Sequence, residues 1–403
     1  METPPRREAY VSMITNDDFL PGAQALLWSI SKAQSSSSRK RPVLLMVTST
    51  VSSPVREKLR SFGARLVDVD PIGIPEVKPE GSQFSTENSC RQQRAGSEGY
   101  GNSSTSKMSS THVEGWKGTG YTKLRLWSLL RKRNQSKIIS PGQKALDASL
   151  EPALPYQVKQ HQISGAKDFQ ARFVAYKTTG MSTKEAMAAA KADNLDNAIQ
   201  PKKSASGAWR EGQQEIGAWD ALVYVDADAL VLEDLSPIFE RLEKAKISFA
   251  AAPDIFPPDK FNAGVLGIAV RSENENSDGA GNYSPSGGSV KISSQDAEDI
   301  LAGMISRLAE LGTYDGGDTG FLNLFFPNWW HSSPPAARLP FRYNAQRTLH
   351  WFTYSQQPGY WDVCKPIAVL HFSSSPKPWE CPEKKGELEL IWWEHFASAL
   401  SAS

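Results

Sequence analysis

The sequence predicts an α/β fold, a mostly parallel central sheet flanked by helices. Three observations carry that expectation. Strand-like and helix-like patterns alternate within the first seventy residues. A continuous apolar run, Ala221 to Leu232, has the composition of a strand buried on both faces, and it carries Asp226-Ala-Asp228 within it. No Gly-x-Gly-x-x-Gly occurs, which argues against a dinucleotide-binding sheet.

The elements follow in order. Tyr10-Val-Ser-Met-Ile-Thr15 reads as a first strand. Pro21-Gly22 opens a helix whose apolar residues Ala23, Leu27 and Ile30 recur at helical spacing. Val43 to Val47 is apolar throughout and of strand length. Ser53-Pro54 reads as an N-cap followed by proline at the first helical position, with Val55, Leu59 and Phe62 on one face. Arg65 to Asp70 is a third strand. Strand, helix, strand, helix, strand is the signature of a parallel sheet covered by helices. Such sheets bind ligands at the carboxyl ends of their strands. Thr15-Asn16-Asp17 and Asp226-Ala-Asp228 both lie at that edge if their strands are neighbours. Further on, Tyr121 to Leu130 has the spacing of an amphipathic helix, with Leu124, Trp127 and Leu130 on one side.

Composition bounds the rest. The chain has 403 residues, enough for a large core. Lys+Arg 45 against Asp+Glu 44 leaves a net charge of +1, which argues against an electrostatically driven nucleic-acid binder. Cys90, Cys364 and Cys381 are far apart and form no Cys-x-x-Cys, so neither a zinc site nor a disulfide framework is indicated. No signal-peptide core and no transmembrane run is present. The expectation is a protein of a reducing compartment, the cytoplasm, with the Golgi lumen as the alternative if an anchor precedes this sequence. The apolar fraction of 39% is low because of local stretches rich in Ser, Gln, Asn and Gly. The resulting expectation is one domain over residues 8–400, interrupted by insertions at about 78–112, 133–218 and 272–295. The first and last have too little apolar surface to order themselves. The middle one holds a capping-box match, Ser182-Thr-Lys-Glu185, and a Phe169, Phe173, Tyr176 stripe; a tolerated surface insertion is favoured over a docking element.

Asp226 and Asp228 sit where a buried strand meets solvent. A strand alternates its faces, so the chain must turn there for both carboxylates to point one way. Paired carboxylates with phosphate oxygens are a usual way to hold magnesium or manganese. A solvated strand-end turn is an equal alternative for the dipeptide spacing alone. Other segments add to the metal reading. His371 ends the apolar run Ile367 to Leu370 and is placed to complete the metal site. Lys377 lies six residues on, placed to neutralise a phosphate. Phe261-Asn262-Ala263-Gly264 offers an amide to hydroxyl groups. Tyr314-Asp315-Gly316-Gly317-Asp318 sets two carboxylates around two glycines. Asp318 has an ordinary explanation as a helix N-cap, and Asp315 has none.

In order and spacing these blocks resemble glycosyltransferase family 8, its glycogenin branch above all. The matching blocks are Thr15-Asn-Asp17, Thr122-Lys-Leu124 with Trp127-Ser128, Tyr224 to Leu230, Ala252-Pro-Asp254, Phe261 to Val265, Asp315-Gly-Gly-Asp318, Leu339-Pro-Phe341 with Tyr343-Asn344, and His371-Phe372 with Lys377-Pro-Trp379. The resemblance implies a GT-A fold that uses a UDP-sugar and Mn2+ (or Mg2+) and moves a hexose, glucose before others, to a hydroxyl acceptor with retention. It implies that Asp226, Asp228 and His371 bind the metal, and that Thr15 and Asn16 contact the uridine. Met13, Phe19, Ala227, Lys123 and Lys377 join the donor site, with Ser374 beside the phosphates. Asn262, Ala263, Asp315, Asp318 and Thr319 line the sugar pocket, and Lys123, Asp315 and Asp318 form the catalytic group. The acceptor is a saccharide or a protein tyrosine, and the family pattern admits a homodimer.

The sequence departs from that pattern at three places. Thr319 stands where a glutamine is usual, Ser374 where a glycine is, and Phe19 where a tyrosine is. The first leaves galactose or glucuronic acid open as the sugar. Tyr354 falls where a self-glucosylated tyrosine would be. Two other classes compete: a non-catalytic UDP-sugar-binding scaffold, and a phosphatase of the haloacid dehalogenase type. The second is disfavoured because Leu230 takes the place of its usual Thr or Val and two hundred residues precede the motif.

Overall fold

The computed structural model describes residues 5–73, 119–131, 211–255, 257–270, 297–353, 357–383 and 386–402. The insertion segments 78–112 and 272–295 lie outside them, as do Cys90, Tyr354 and residues 133–210 with their capping box and aromatic stripe.

The first half of the fold follows the expected alternation. Strand β1 (Glu8–Ile14) leads through a short 3₁₀ turn into helix α1 (Leu20–Ala33). Strand β2 (Val43–Val47), helix α2 (Ser53–Ser61) and strand β3 (Arg65–Asp68) follow. The N-cap of α2 is Ser52 rather than Ser53, and Pro54 falls inside the first turn, where its missing N–H costs no hydrogen bond. Strands β4 (Ala221–Val225) and β5 (Ala229–Val231) are halves of the long apolar run, separated by the Asp226–Asp228 turn. Helix α3 (Ser236–Lys244) and strands β6 (Phe249–Pro253) and β7 (Phe261–Ala269) come next. The remainder is helices α4 (Ala297–Leu311), α5 (Asp318–Phe325) and α6 (Trp329–Ser332), strand β8 (Ala345–Gln346), helices α7 (Arg347–Thr353) and α8 (Gly359–Asp362), strand β9 (Val369–His371) and helix α9 (Glu387–Ala402).

The main sheet runs β3-β2-β1-β4-β7-β6. Strands β1 to β4 pair in parallel, and β7 is antiparallel to both its neighbours. The strand order reverses between β1 and β4, which pair directly, with Val11 opposite Tyr224. A reversal of this kind opens a crevice at the carboxyl ends of the two strands. Thr15-Asn16 and Asp226-Ala227-Asp228 follow those ends, so the two segments converge there.

Alternate residues of each strand feed opposite cores. Ala9, Val11, Leu222 and Tyr224 pack with Leu124, Trp127, Leu301 and Phe321 on one face. Tyr10, Val223 and Val225 pack with Ile30, Ile238 and Phe239 on the other. A second, three-stranded sheet, β5-β9-β8, backs onto α9, whose Trp392 is fully buried. Its register sets Ala229 opposite His371 and so delivers the histidine to the Asp226–Asp228 turn.

The expected amphipathic helix at Tyr121–Leu130 is instead a 3₁₀ run, Thr122–Leu129, buried on nearly every side. Apolar spacing of three fits a 3.0-residue turn as well as a 3.6-residue one, so the pattern alone did not separate them. Residues 211–218, at the end of the middle insertion, belong to the folded body. Asp68 N–H donates to the Glu211 carbonyl, Glu211 N–H donates to the Asp68 carboxylate, and Gly217 N–H donates to the Ser128 carbonyl. Among the described residues no helix is long and apolar enough to cross a membrane.

Candidate active site

The Asp226–Asp228 turn is held from three sides. Asp226 N–H donates to Gly264 of β7, Ala229 N–H closes the turn onto the Asp226 carbonyl, and Phe372 N–H donates to the Asp228 carbonyl. Helix α1 comes close enough that a side chain at Gly22 would sit 2.5 Å from the Ala227 carbonyl. Only glycine allows that approach. The turn points both carboxylates the same way, and ligand atoms of Asp226, Asp228 and His371 all lie within 4.8 Å of one another.

Two lysines brace the carboxylates. Lys123 Nζ lies 3.0 Å from Asp226 Oδ1 and 2.6 Å from Asp318 Oδ2, and donates to the Ala263 carbonyl at 3.1 Å. Lys377 Nζ donates to Asp228 Oδ2 at 2.6 Å and to the Phe372 carbonyl at 2.9 Å. The Tyr224 hydroxyl donates to Asp226 Oδ1 at 2.6 Å. Burial pushes the Asp228 carboxyl up, but the neighbouring positive charge, led by Lys377, outweighs it and holds the group well below the usual carboxylate range. Burial likewise pulls Lys123 down, and Asp226 and Asp318 more than reverse it, keeping the ammonium charged. Asp318 goes the other way: burial, helped by the charge of Asp226, raises its carboxyl despite Lys123. Burial and then Asp226 raise the Tyr224 phenol, so it stays a donor.

These residues fit a hard divalent cation. Two carboxylates and an imidazole converge, and Asp228 Oδ1 is buried with no hydrogen-bond donor among the described residues, facing Nε2 of His371 at 3.2 Å. A buried acceptor without a donor is expensive unless something else satisfies it. A cation shared with Nε2 would do so.

A cavity over the turn is lined by Met13, Thr15, Asn16, Phe19, Lys123, Asp226, Ala227, Asp228, Asp318 and Lys377, all expected there, and also by Ile14, Thr119, Gly120 and Tyr224, which were not. Tyr224 was signalled: it stands two before Asp226, on the same strand face. Asn16 also caps the 3₁₀ turn after β1, accepting from Asp18 N–H at 3.1 Å. Phe19 meets Trp379 edge to face.

The other expected residues lie behind the lining. Asn262 Oδ1 accepts from Gly264 N–H and from Asn344 Nδ2, both at 2.9 Å. Thr319 Oγ1 accepts from Ala263 N–H at 3.1 Å. Ser374 is gripped by Arg347, which bonds both its hydroxyl and its carbonyl. The two carboxylates around Gly316-Gly317 exchange parts relative to expectation. Gly317 is the N-cap of α5. Exposed Asp315 satisfies that helix end, accepting from Gly317 N–H, Gly320 N–H and the Thr313 hydroxyl. Asp318, expected to cap, is buried: its Oδ1 accepts from Thr319 N–H at 2.9 Å, and its Oδ2 turns to Lys123.

No family model matches the chain. Among curated proteins it is similar to glycogenin-1 of Mus musculus, 30% identical over 192 residues, covering 44% of this chain and 47% of the relative. It is 34% identical over 157 residues to glycogenin-2 of Homo sapiens and, also over 157 residues, to glycogenin-1 of Oryctolagus cuniculus, covering 24% and 37% of those proteins and 39% of this one. The similarity is confined to those stretches, and the chain spans less than half the length of each of these relatives. Solved structures similar to it include the galactosyltransferase LgtC with donor and acceptor sugar analogs (TM-score 0.41, 13% identity, covering 97% of this chain and 95% of that one). Another is the glycosyltransferase GlyE of Streptococcus pneumoniae TIGR4 (TM-score 0.42, 15% identity, covering 99% and 63%).

Proposed function

We propose that this chain is a metal-dependent, retaining glycosyltransferase of GT-A type. It moves a hexose, glucose before others, from a UDP-sugar to a hydroxyl acceptor. The observation that carries this reading is the convergence of Asp226, Asp228 and His371 at the strand-order reversal, with Lys123 and Lys377 beside them.

Asp226, Asp228 and His371 would hold Mn2+ or Mg2+, which supplies charge stabilisation at the diphosphate leaving group. Lys377 covers the Asp228 charge before ligands arrive, and its ammonium is then placed to turn to a phosphate oxygen. Thr15 and Asn16 at the end of β1 line the side of the cavity assigned to the uridine, with Phe19 as a stacking wall. Lys123 fixes Asp318 in the cavity, where that carboxylate stabilises positive charge growing on the sugar ring. Asn262, Ala263 and Thr319 form one bonded group behind Lys123 and set the floor of the sugar site.

The acceptor oxygen bonds to the anomeric carbon on the face from which the diphosphate departs. The bond from that carbon to the phosphate oxygen breaks, UDP keeps its electron pair, and a phosphate oxygen takes the acceptor proton. Neither Asp315 nor Asp318 is free to act as a nucleophile. The first is committed to the α5 terminus and the second to Lys123.

The test is incubation with a panel of labelled UDP-sugars, Mn2+ and simple saccharide acceptors, followed by mass spectrometry of products and of the protein. Transfer that is abolished by a chelator and restored by Mn2+ supports the reading. Metal-independent transfer, a sugar covalently trapped on Asp318, or UDP-sugar binding without turnover refutes it. Sugar on Tyr354 would mark the protein as its own acceptor. The dimer and the cytoplasmic setting belong to the same proposal, to be read from sedimentation and from a tagged chain in cells.

A further inference from the structure

We infer that Asn344 is a positioning residue that fixes the tautomer of His371 through a hydrogen-bond relay starting at the backbone of β7. The inference rests on the metal reading above, but its first link needs no metal.

The relay has a fixed sense because it begins at a group that can only donate. Gly264 N–H donates to Asn262 Oδ1 at 2.9 Å. That oxygen is therefore the acceptor, and the Asn344 group 2.9 Å from it must be the amide Nδ2. Asn344 then has only its Oδ1 to offer on the other side, and this lies 2.7 Å from His371 Nδ1. An acceptor there puts the proton on Nδ1. In the neutral imidazole Nε2 then keeps its lone pair, aimed at Asp228 Oδ1 at 3.2 Å and toward Asp226 Oδ2 at 3.8 Å.

A lone pair facing two carboxylate oxygens is a poor arrangement for a histidine that only packs. It is the arrangement a metal-ligating imidazole needs, since the nitrogen away from the metal must carry the proton. Burial makes the choice firm: Asn344 is fully buried and His371 nearly so, leaving water little access to substitute for either bond. Backbone shape supports the same pose. A side chain at Gly264 would lie 2.2 Å from Cε1 and 2.4 Å from Nδ1 of His371, so the imidazole rests directly on the strand that starts the relay. Asn262 thus acts twice over, once as a floor of the proposed sugar site and once as the link that orients the metal ligand.

The test reads the tautomer first. Long-range ¹H–¹⁵N spectra of the metal-free protein at about pH 8, where an ordinary imidazole is neutral, should show His371 protonated on Nδ1. Asn344→Leu should lose that single tautomer and weaken Mn2+ binding, measured by calorimetry, about 10–100-fold. Asn344→Asp, which keeps an acceptor toward Nδ1, should keep that nitrogen protonated. Wild-type His371 protonated on Nε2 overturns the inference, as does Asn344→Leu with an unchanged tautomer. If Asn344→Leu does not fold, the wild-type spectrum and Asn344→Asp still decide it. Correct tautomers in a protein that binds no Mn2+ would uphold the relay and sink the metal reading instead.

Discussion

Replacing Lys377 with methionine should make the fold weaker and its metal binding stronger. Lys377 is 6% exposed, and its Nζ holds Asp228 Oδ2 at 2.6 Å. Methionine keeps the length of the stem and removes the charge. Breaking a buried ion pair from one side costs about 3–5 kcal/mol, because the partner is left charged and unpaired. At about 2–4 °C per kcal/mol for a domain of this class, the metal-free variant should melt about 6–20 °C lower. The stranded Asp228 is then the best reason for a cation to bind. In the wild type a metal must displace the lysine; in the variant it does not. Mn2+ at a hundredfold excess over its dissociation constant returns about 2.7 kcal/mol. Differential scanning calorimetry with and without Mn2+ measures both effects. The Mn2+-induced rise in Tm should be larger in Lys377→Met than in the wild type, while sugar transfer falls about 10²–10³-fold for want of a phosphate donor. An equal or smaller rise in the variant would show that the lysine and the metal do not compete for Asp228, and the charge-holding role assigned to Lys377 would be lost.

Three other outcomes follow from the same geometry. Asp318→Asn should leave Tm unchanged or higher while transfer falls about 10²-fold; the carboxyl is raised by burial, so its stabilising contribution is complete only below its unfolded value of about 3.9 and is lost as pH rises through the folded one. Asp315→Ala should cost about 0.5–2 kcal/mol in denaturant melts by uncapping α5, with transfer affected only as far as the helix frays. Burial lowers the His350 pKa, so its contribution to stability is full above about pH 6.5 and is lost as pH falls from there toward the folded value; His350→Gln should flatten the Tm profile across that window.

The parallel half of the sheet was legible because strands buried on both faces write themselves as unbroken apolar runs. Val43–Val47 needed no correction. The reversal of β7 was not legible, because a buried strand reads the same in either direction. The metal cluster could be assembled because each member ends an apolar run, a mark that survives without knowing which strands are neighbours. Asn344 carries no such mark. It ends a short 3₁₀ turn and reaches His371 only because β8 pairs with β9, across 25 residues of sequence, with Gln346 opposite His371. The Asp315–Asp318 exchange was lost for a local reason. Gly316 adopts a left-handed φ of 80° and turns the chain, so the carboxylate further from the helix caps it and the nearer one faces inward.

Charge explains why such a site can fold before its ligands arrive. Asp226, Asp228 and Asp318 bring three carboxylates into one cavity, and Lys123 and Lys377 bring two ammonium groups from distant parts of the chain. Three carboxylates against two ammonium groups leave one negative charge uncovered, which a divalent cation alone would overcompensate. A cation arriving with an anionic diphosphate would not, and the lysines released from Asp226 and Asp228 then meet phosphate oxygens instead of carboxylates. Because Asp228 is held ionised by Lys377, the cation displaces a lysine rather than a proton there. Metal affinity set by that exchange should depend on the nucleotide more than on pH near neutrality, and titrating Mn2+ with and without UDP at two pH values separates the two dependences.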